Sequence, residues 1–203
     1  MAPRLPTVFL SLMILGAVTT ATEAQQVPTT DEGVFVIRAG EQVVGREQFT
    51  LRSGGGGDAP REITLSLIST YPPAPSRRTV ASFLPRRMTV RMATAAGAAA
   101  REYPGGSGYL VADDSVFALY ASALEQAPGP VQVFYPRTGE RRPASLEDRG
   151  IEPTTLNGAR RDDLRHLILR SDATAYHLWY DSQGHLIKVA VPGAGLIAER
   201  LIR

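Results

Sequence analysis

Between Gly33 and Ser53 the chain reads GVFVIRAGEQVVGREQFTLRS, with Val34, Val36 and Arg38 alternating with Phe35 and Ile37. A side-chain period of two belongs to a strand whose faces meet different surroundings. Two strands are therefore expected, Val34–Arg38 and Val43–Arg52, with AGEQ turning between them. SGGGG, Ser53–Gly57, reads as a flexible connection. No Gly-Lys-Ser/Thr follows it, so it is no phosphate cradle. In the next strand Ile63, Leu65, Leu67 and Ser69 fall on one side and Thr64, Ser66, Ile68 and Thr70 on the other, until PPAPS ends it. Strand-like segments continue at Thr79–Leu84, Met88–Ala93, Ala98–Tyr103 and Tyr109–Val111, punctuated by Gly or Pro. So short a rhythm leaves no room for crossover helices and predicts an antiparallel meander.

One segment departs from the rhythm. DDSVFALYASALEQ places Val116, Leu119, Tyr120, Ala123 and Leu124 at helical spacing, with Asp113 or Asp114 where an N-cap acceptor belongs. The expected element is a helix Asp114–Gln126 that hides Phe117, Tyr120 and Leu124 against the concave side of the sheet. Beyond it, VQVFYPRTGERRPASLE reads as a strand, a turn near Thr138–Gly139 and a returning strand. A strand at Leu164–Arg170 puts Leu167 and Leu169 on one face and His166, Ile168 and Arg170 on the other, with His166 exposed. The predicted fold is mainly β: a single curved antiparallel sheet, a half-barrel or open-barrel meander, packed around one α-helix.

Two of the three histidines, the only tryptophan and the only lysine lie in HLWYDSQGHLIKVAVP. Asp181 and Gly184 occupy the first and fourth positions of a type I turn, so Tyr176–Tyr180 and His185–Val191 should pair as a hairpin. With a three-residue loop Asp181 faces His185; a two-residue loop would put His177 and His185 on opposite faces. In either register His177 and Asp181 stand four strand residues apart, about 13 Å, too far to share a metal ion. The cluster reads as a hairpin rather than a reactive site.

The ends and the composition change the setting more than the fold. Arg4, the apolar run Val8–Val18 and the small residues Thr22 and Ala24 form the three-part layout of a secretory signal cut after Ala24. The expected organisation is a signal peptide at 1–24, a flexible leader at 25–30 and one β-rich domain at 31–203. That makes an exported protein, periplasmic or extracellular, soluble, with no membrane span after cleavage. The chain has no cysteine, which excludes disulfides, a thiolate nucleophile, cysteine-bound metal and lipid modification at an N-terminal cysteine. The formal net charge is +2 and arginine supplies nearly all of the positive charge. Arg77–Arg78, Arg86–Arg87, Arg141–Arg142 and Arg160–Arg161 are scattered among acids without aromatic interleaving, so no nucleic-acid partner is expected.

Catalytic signatures are missing: PGGSGY fails the nucleophile-elbow pattern at its last position, and neither HExxH nor Ser-x-x-Lys occurs. Asp113, Asp114, Asp162, Asp163 and His166 are scattered candidates with structural explanations. No catalytic residue, metal ligand or cofactor is assigned. A periplasmic hydrolase built from distant carboxylates is the enzymatic alternative, and a scaffold without a small ligand is the structural one. The opening GVFVIRAGEQVVGREQFTL, the central DDSVFALYASAL and the closing YHLWYDSQGHLIKVAVPGAGLIAER resemble uncharacterised exported bacterial proteins whose fold is similar to the outer-membrane lipoprotein carriers. The resemblance implies a half-barrel with an apolar cavity. The expected function is a non-catalytic envelope protein that binds a lipid or other apolar small molecule, or another envelope protein. The candidate ligand-binding residues are Val36, Phe49, Leu51, Leu65, Leu67, Trp179 and Ile187.

Overall fold

The computed structural model describes residues 29–56, 59–72, 77–84, 87–94, 97–104 and 108–201; the expected signal peptide lies outside them. The strands are β1 (Thr29–Ala39), β2 (Gln42–Gly56), β3 (Ala59–Ser69), β4 (Arg77–Leu84), β5 (Arg87–Thr94), β6 (Gly97–Pro104), β7 (Tyr109–Val111), β8 (Gly129–Tyr135), β9 (Glu140–Ile151), β10 (Thr154–Leu156), β11 (Ala159–Arg161), β12 (Arg165–Ser171), β13 (Thr174–Tyr180), β14 (Leu186–Val191) and β15 (Leu196–Arg200). Thirteen of them form one curved sheet in the order β6-β5-β4-β3-β2-β1-β15-β14-β13-β12-β9-β8-β7. Two antiparallel runs thus meet where β1 pairs with β15, joining the two ends of the fold. β10 and β11 form a separate hairpin. The ladder departs from a pure meander at one edge, where β7 lies parallel to β8.

The sheet is open, with β6 and β7 as its edges. Side chains span the gap: the Tyr103 ring meets that of Phe134 edge-on at 4.9 Å, and the Arg141 guanidinium donates to the Pro104 carbonyl. Bulges at Ile37/Arg38, His166/Leu167 and Trp179/Tyr180 add local bend and twist to neighbouring strands. Alternation assigns the faces as expected in β3, where Ile63, Leu65 and Leu67 are buried inward and Ile68 stands exposed outward. The SGGGG run is a correction: β2 continues to Gly56, and Ser53, Gly54 and Gly56 still pair with β3. Glycine loses the side-chain packing of a strand but keeps the ladder's hydrogen bonds.

The helix is present as a 3₁₀ helix, Phe117–Glu125, and it packs on the concave face. Phe117, Leu119 and Tyr120 are buried, whereas Leu124 is only half-buried at the rim. Its N-cap position, Val116, has no side-chain cap. Asp113 and Asp114 lie too early: Asp113 accepts from the Ser115 N–H and hydroxyl, and Asp114 from the Tyr176 hydroxyl at 2.7 Å. The first-turn N–H groups go instead to Glu47 of β2, 3.1 Å from Phe117 N and 2.7 Å from Ala118 N. From the opposite wall the Tyr180 hydroxyl donates to the Tyr120 carbonyl at 2.7 Å, and the Tyr176 and Tyr120 rings stack at 4.9 Å.

Candidate functional site

The concave face is occupied. Phe49, Leu51, Leu65 and Leu67 are all buried in one core with Phe117, Leu119 and Tyr120 of the helix. Four of the seven sequence candidates therefore form the packed bed on which the helix lies. The other three belong to different surroundings. Val36 is buried on the outer face, in a row that runs Val36–Glu199–Lys188–Trp179–His166 across five strands. Ile187 is the extra residue of the β13–β14 bulge, between Leu186 and Lys188, and it joins Leu156, Leu164 and Trp179 in a second core.

That second core exists because the β10–β11 hairpin folds over the outer face. The Lys188 ammonium donates to the Thr155 carbonyl and, at 3.3 Å, to the Thr154 hydroxyl, and it lies 3.5 Å from Glu199, which also holds Arg38 at 2.9 Å. His166, expected exposed, is only 5% exposed. Its ring stacks on Trp179 at 4.5 Å, Nδ1 sits 2.6 Å from Glu152 and Nε2 sits 3.0 Å from His177 Nδ1. Strand alternation placed His166 on the correct face but gave no sign that the face was covered. The signal was Asn157-Gly158, whose positive φ values of 48° and 82° make the tight turn joining β10 to β11.

Burial and the neighbouring His166 hold the His177 ring below its ordinary pKa of 6.5. As pH falls through about 6.5 the unfolded chain takes up that proton before the native one. Stability is therefore expected to decline from about pH 7 downward, and to level off once the native ring also titrates. Urea midpoints across that window should show a slope that His177→Gln flattens. Glu152, lowered chiefly by its hydrogen bond to His166, contributes in a separate window below about pH 4.5.

The open space lies at one end of the barrel, where β1 and β15 separate beyond Phe35 and Arg200, the last pair of their ladder. A cleft of about 580 Å³ there is lined by Val34, Phe49 and Ile187, by the polar Gln48 and Thr50, and by charged and titratable groups of both signs, Glu32 and Asp181 beside Arg161, His185 and Arg200. A second hollow of about 260 Å³ shares His185 with it and is lined by Leu51, Ala121 and Leu124, with Asp31 and Glu125 at its polar side. Phe49, Leu51 and Ile187 thus reappear as the apolar floor of adjoining clefts. The hairpin 181–185 shapes their shared wall. Gly184, at φ +84°, completes a three-residue loop, the first of the two registers the sequence left open, and the Asp181 carboxylate accepts from the His185 N–H at 2.9 Å and meets Nδ1 at 3.2 Å. Arg161 pairs with Asp163 at 2.7 Å.

His–carboxylate pairs do meet, then, at His166–Glu152 and His185–Asp181. Among the described residues no hydroxyl is hydrogen-bonded to a histidine. No group of three His, Cys, Asp or Glu side chains among them could hold a metal ion. Nor is any helix among them long and apolar enough to cross a membrane.

No family model and no curated protein matches this sequence. Among solved structures, the chain is similar to the crystal structure of a β-barrel-like protein of a domain of unknown function, DUF1849, from Brucella abortus. The match has a TM-score of 0.43 and 5% identity, over 86% of this chain and 94% of that one.

Proposed function

We propose that this is an exported, non-catalytic binding protein of the cell envelope that holds an amphipathic, lipid-like molecule at the open end of its barrel. The observation that carries the reading is the lining of the adjoining clefts: an apolar floor of Phe49, Leu51, Leu124 and Ile187 beneath a hydrogen-bonding rim of Arg161, His185 and Arg200. The smaller hollow, walled by Leu51, Ala121 and Leu124, has the mainly apolar character usual for small-ligand sites, and the larger cleft beside it supplies the polar partners. The site differs in place from the deep cavity of a lipoprotein carrier, because the 3₁₀ helix fills the concave face. Likeness to those carriers is inferred from the sequence resemblance, with which an open curved sheet is consistent, and export from the signal-like N-terminus.

Trp179 reports on the site, since it packs in the same small core as Ile187 of the cleft floor. Titration with a long-chain fatty acid is expected to change Trp179 fluorescence saturably. Leu124→Asp puts a charge on the apolar floor at a half-buried position, so it should weaken binding tenfold or more while the protein still melts cooperatively. A linear, non-saturating response, or equal affinity in Leu124→Asp, would contradict the assignment.

A further inference from the structure

Charge is divided unevenly along the chain. Residues 42–104 carry nine arginines and no lysine against four acids, a net +5, whereas the other residues sum to −3 and bring the chain to +2. The sheet turns that imbalance into a surface. Arg46 and Arg52 of β2 and Arg91 of β5 alternate out of the core, opposite in phase to Phe49, Leu51 and Val90, and all three are exposed. Arg52, Thr64, Val80, Arg91 and Ala100 form one lateral row across β2–β6, about 19 Å wide at 4.8 Å per strand. On the other half of the sheet arginines are neutralised locally, as in Arg142–Glu140, Arg149–Glu147, Arg165–Asp148 and Arg170–Glu147. Arg46, Arg52 and Arg91 form no ion pair among the described residues. Of the described acids of this half, Glu47 faces the core, while Glu62 of β3 and Glu102, 3.8 Å from Arg87, stand on the outer face, where Arg46, Arg52, Arg87 and Arg91 outnumber them.

Two apolar features share the face. Ile68 is 60% exposed, and a shallow groove of about 490 Å³ runs between Val80, Arg91, Ala93, Ala98 and Ala100. We propose that the outer face of β2–β6 is a docking surface for an anionic phospholipid bilayer, with Arg46, Arg52 and Arg91 on headgroup phosphates. Guanidinium forks match phosphate oxygens in pairs, and the groove beside Arg91 offers apolar contact next to its charge. A broad array of separate cations fits a lateral array of headgroups. Nucleic acid fits it less well, because none of the described outward positions of β2–β6 carries an aromatic ring for base stacking.

The barrel-end cleft borders this face, since Gln48 and Thr50 of its lining stand between Arg46 and Arg52 on β2, so the two sites are tested with separate readouts. Co-sedimentation with phosphatidylglycerol vesicles at low salt is the direct measurement, with phosphatidylcholine vesicles as reference. The protein should pellet with the anionic vesicles only and be released by salt. Each arginine removed should weaken the partition about fivefold, so Arg46→Gln/Arg52→Gln/Arg91→Gln should lose roughly 100-fold. The paired control Arg149→Gln/Arg165→Gln should bind as the parent does. All three sites of the triple variant are exposed, so its unchanged melting temperature and fatty-acid titration would separate loss of this face from unfolding or loss of the cleft. Equal binding to both vesicle types, unchanged binding by the triple variant, or retention on immobilised DNA without retention on vesicles would each overturn the proposal.

Discussion

Glu47→Leu is expected to destabilise the protein by about 2 to 6 kcal/mol, because it leaves the Phe117 and Ala118 N–H groups buried without their acceptor at roughly 1 to 3 kcal/mol each. Small domains have total stabilities of about 5 to 15 kcal/mol, so the substitution threatens the native state itself. The effect should be specific to the acceptor. Glu47→Gln keeps one carbonyl oxygen and should lose about half as much, while Leu124→Asp at the exposed end of the same helix should lose less than Glu47→Leu. Urea unfolding midpoints rank the three. A Glu47→Leu protein that unfolds like the parent would mean that the helix is held by its apolar face alone.

Arg200→Leu should cost about 3 to 5 kcal/mol for a related reason. The guanidinium lies where β1 leaves β15. It bonds both oxygens of the buried Asp31 carboxylate, at 2.6 and 3.1 Å, and also the Leu186 and Glu32 carbonyls. It therefore ties β1 to the start of β14 across the gap that becomes the cleft. Gly33 makes room for it, since a Cβ there would stand 2.8 Å from Arg200 Nε. Removing the arginine strands the Asp31 charge. Asp31→Leu/Arg200→Leu removes both charges and should recover most of the loss, and a double-mutant cycle measures the coupling. If the double variant is no better than Arg200→Leu, the stability comes from the carbonyl contacts and not from the ion pair.

The strands were legible because alternation is a local signal. Ile63, Leu65 and Leu67 declare the inner face of β3 without knowledge of any partner. The hairpin at 181–185 was legible because Asp181 and Gly184 impose its turn. What escaped depended on contacts distant in sequence. Glu47 holds N–H groups 70 residues away, and nothing beside it in β2 marks an inward carboxylate as a helix cap. The β10–β11 hairpin has three-residue strands, too short for a period, yet it decides that His166 is covered and that Trp179 and Ile187 form a second core. Ile187 lies on the outer face, as alternation from the inward Leu186 assigns it, and the bulge at Trp179/Tyr180 turns the next residue, Lys188, to that face as well, a shift that no local pattern announces. The arginines looked scattered along the chain, and only the pairing of β2 through β6 aligns Arg52 with Arg91.

Native mass spectrometry of the protein purified gently from its own envelope tests the central claim most directly. A one-to-one adduct of lipid-like mass is expected, removed by organic extraction and absent or strongly reduced in Leu124→Asp prepared in the same way. A parent protein that flies only at its bare chain mass, or an adduct kept at full occupancy by Leu124→Asp, would contradict a lipid-like ligand in the barrel-end cleft.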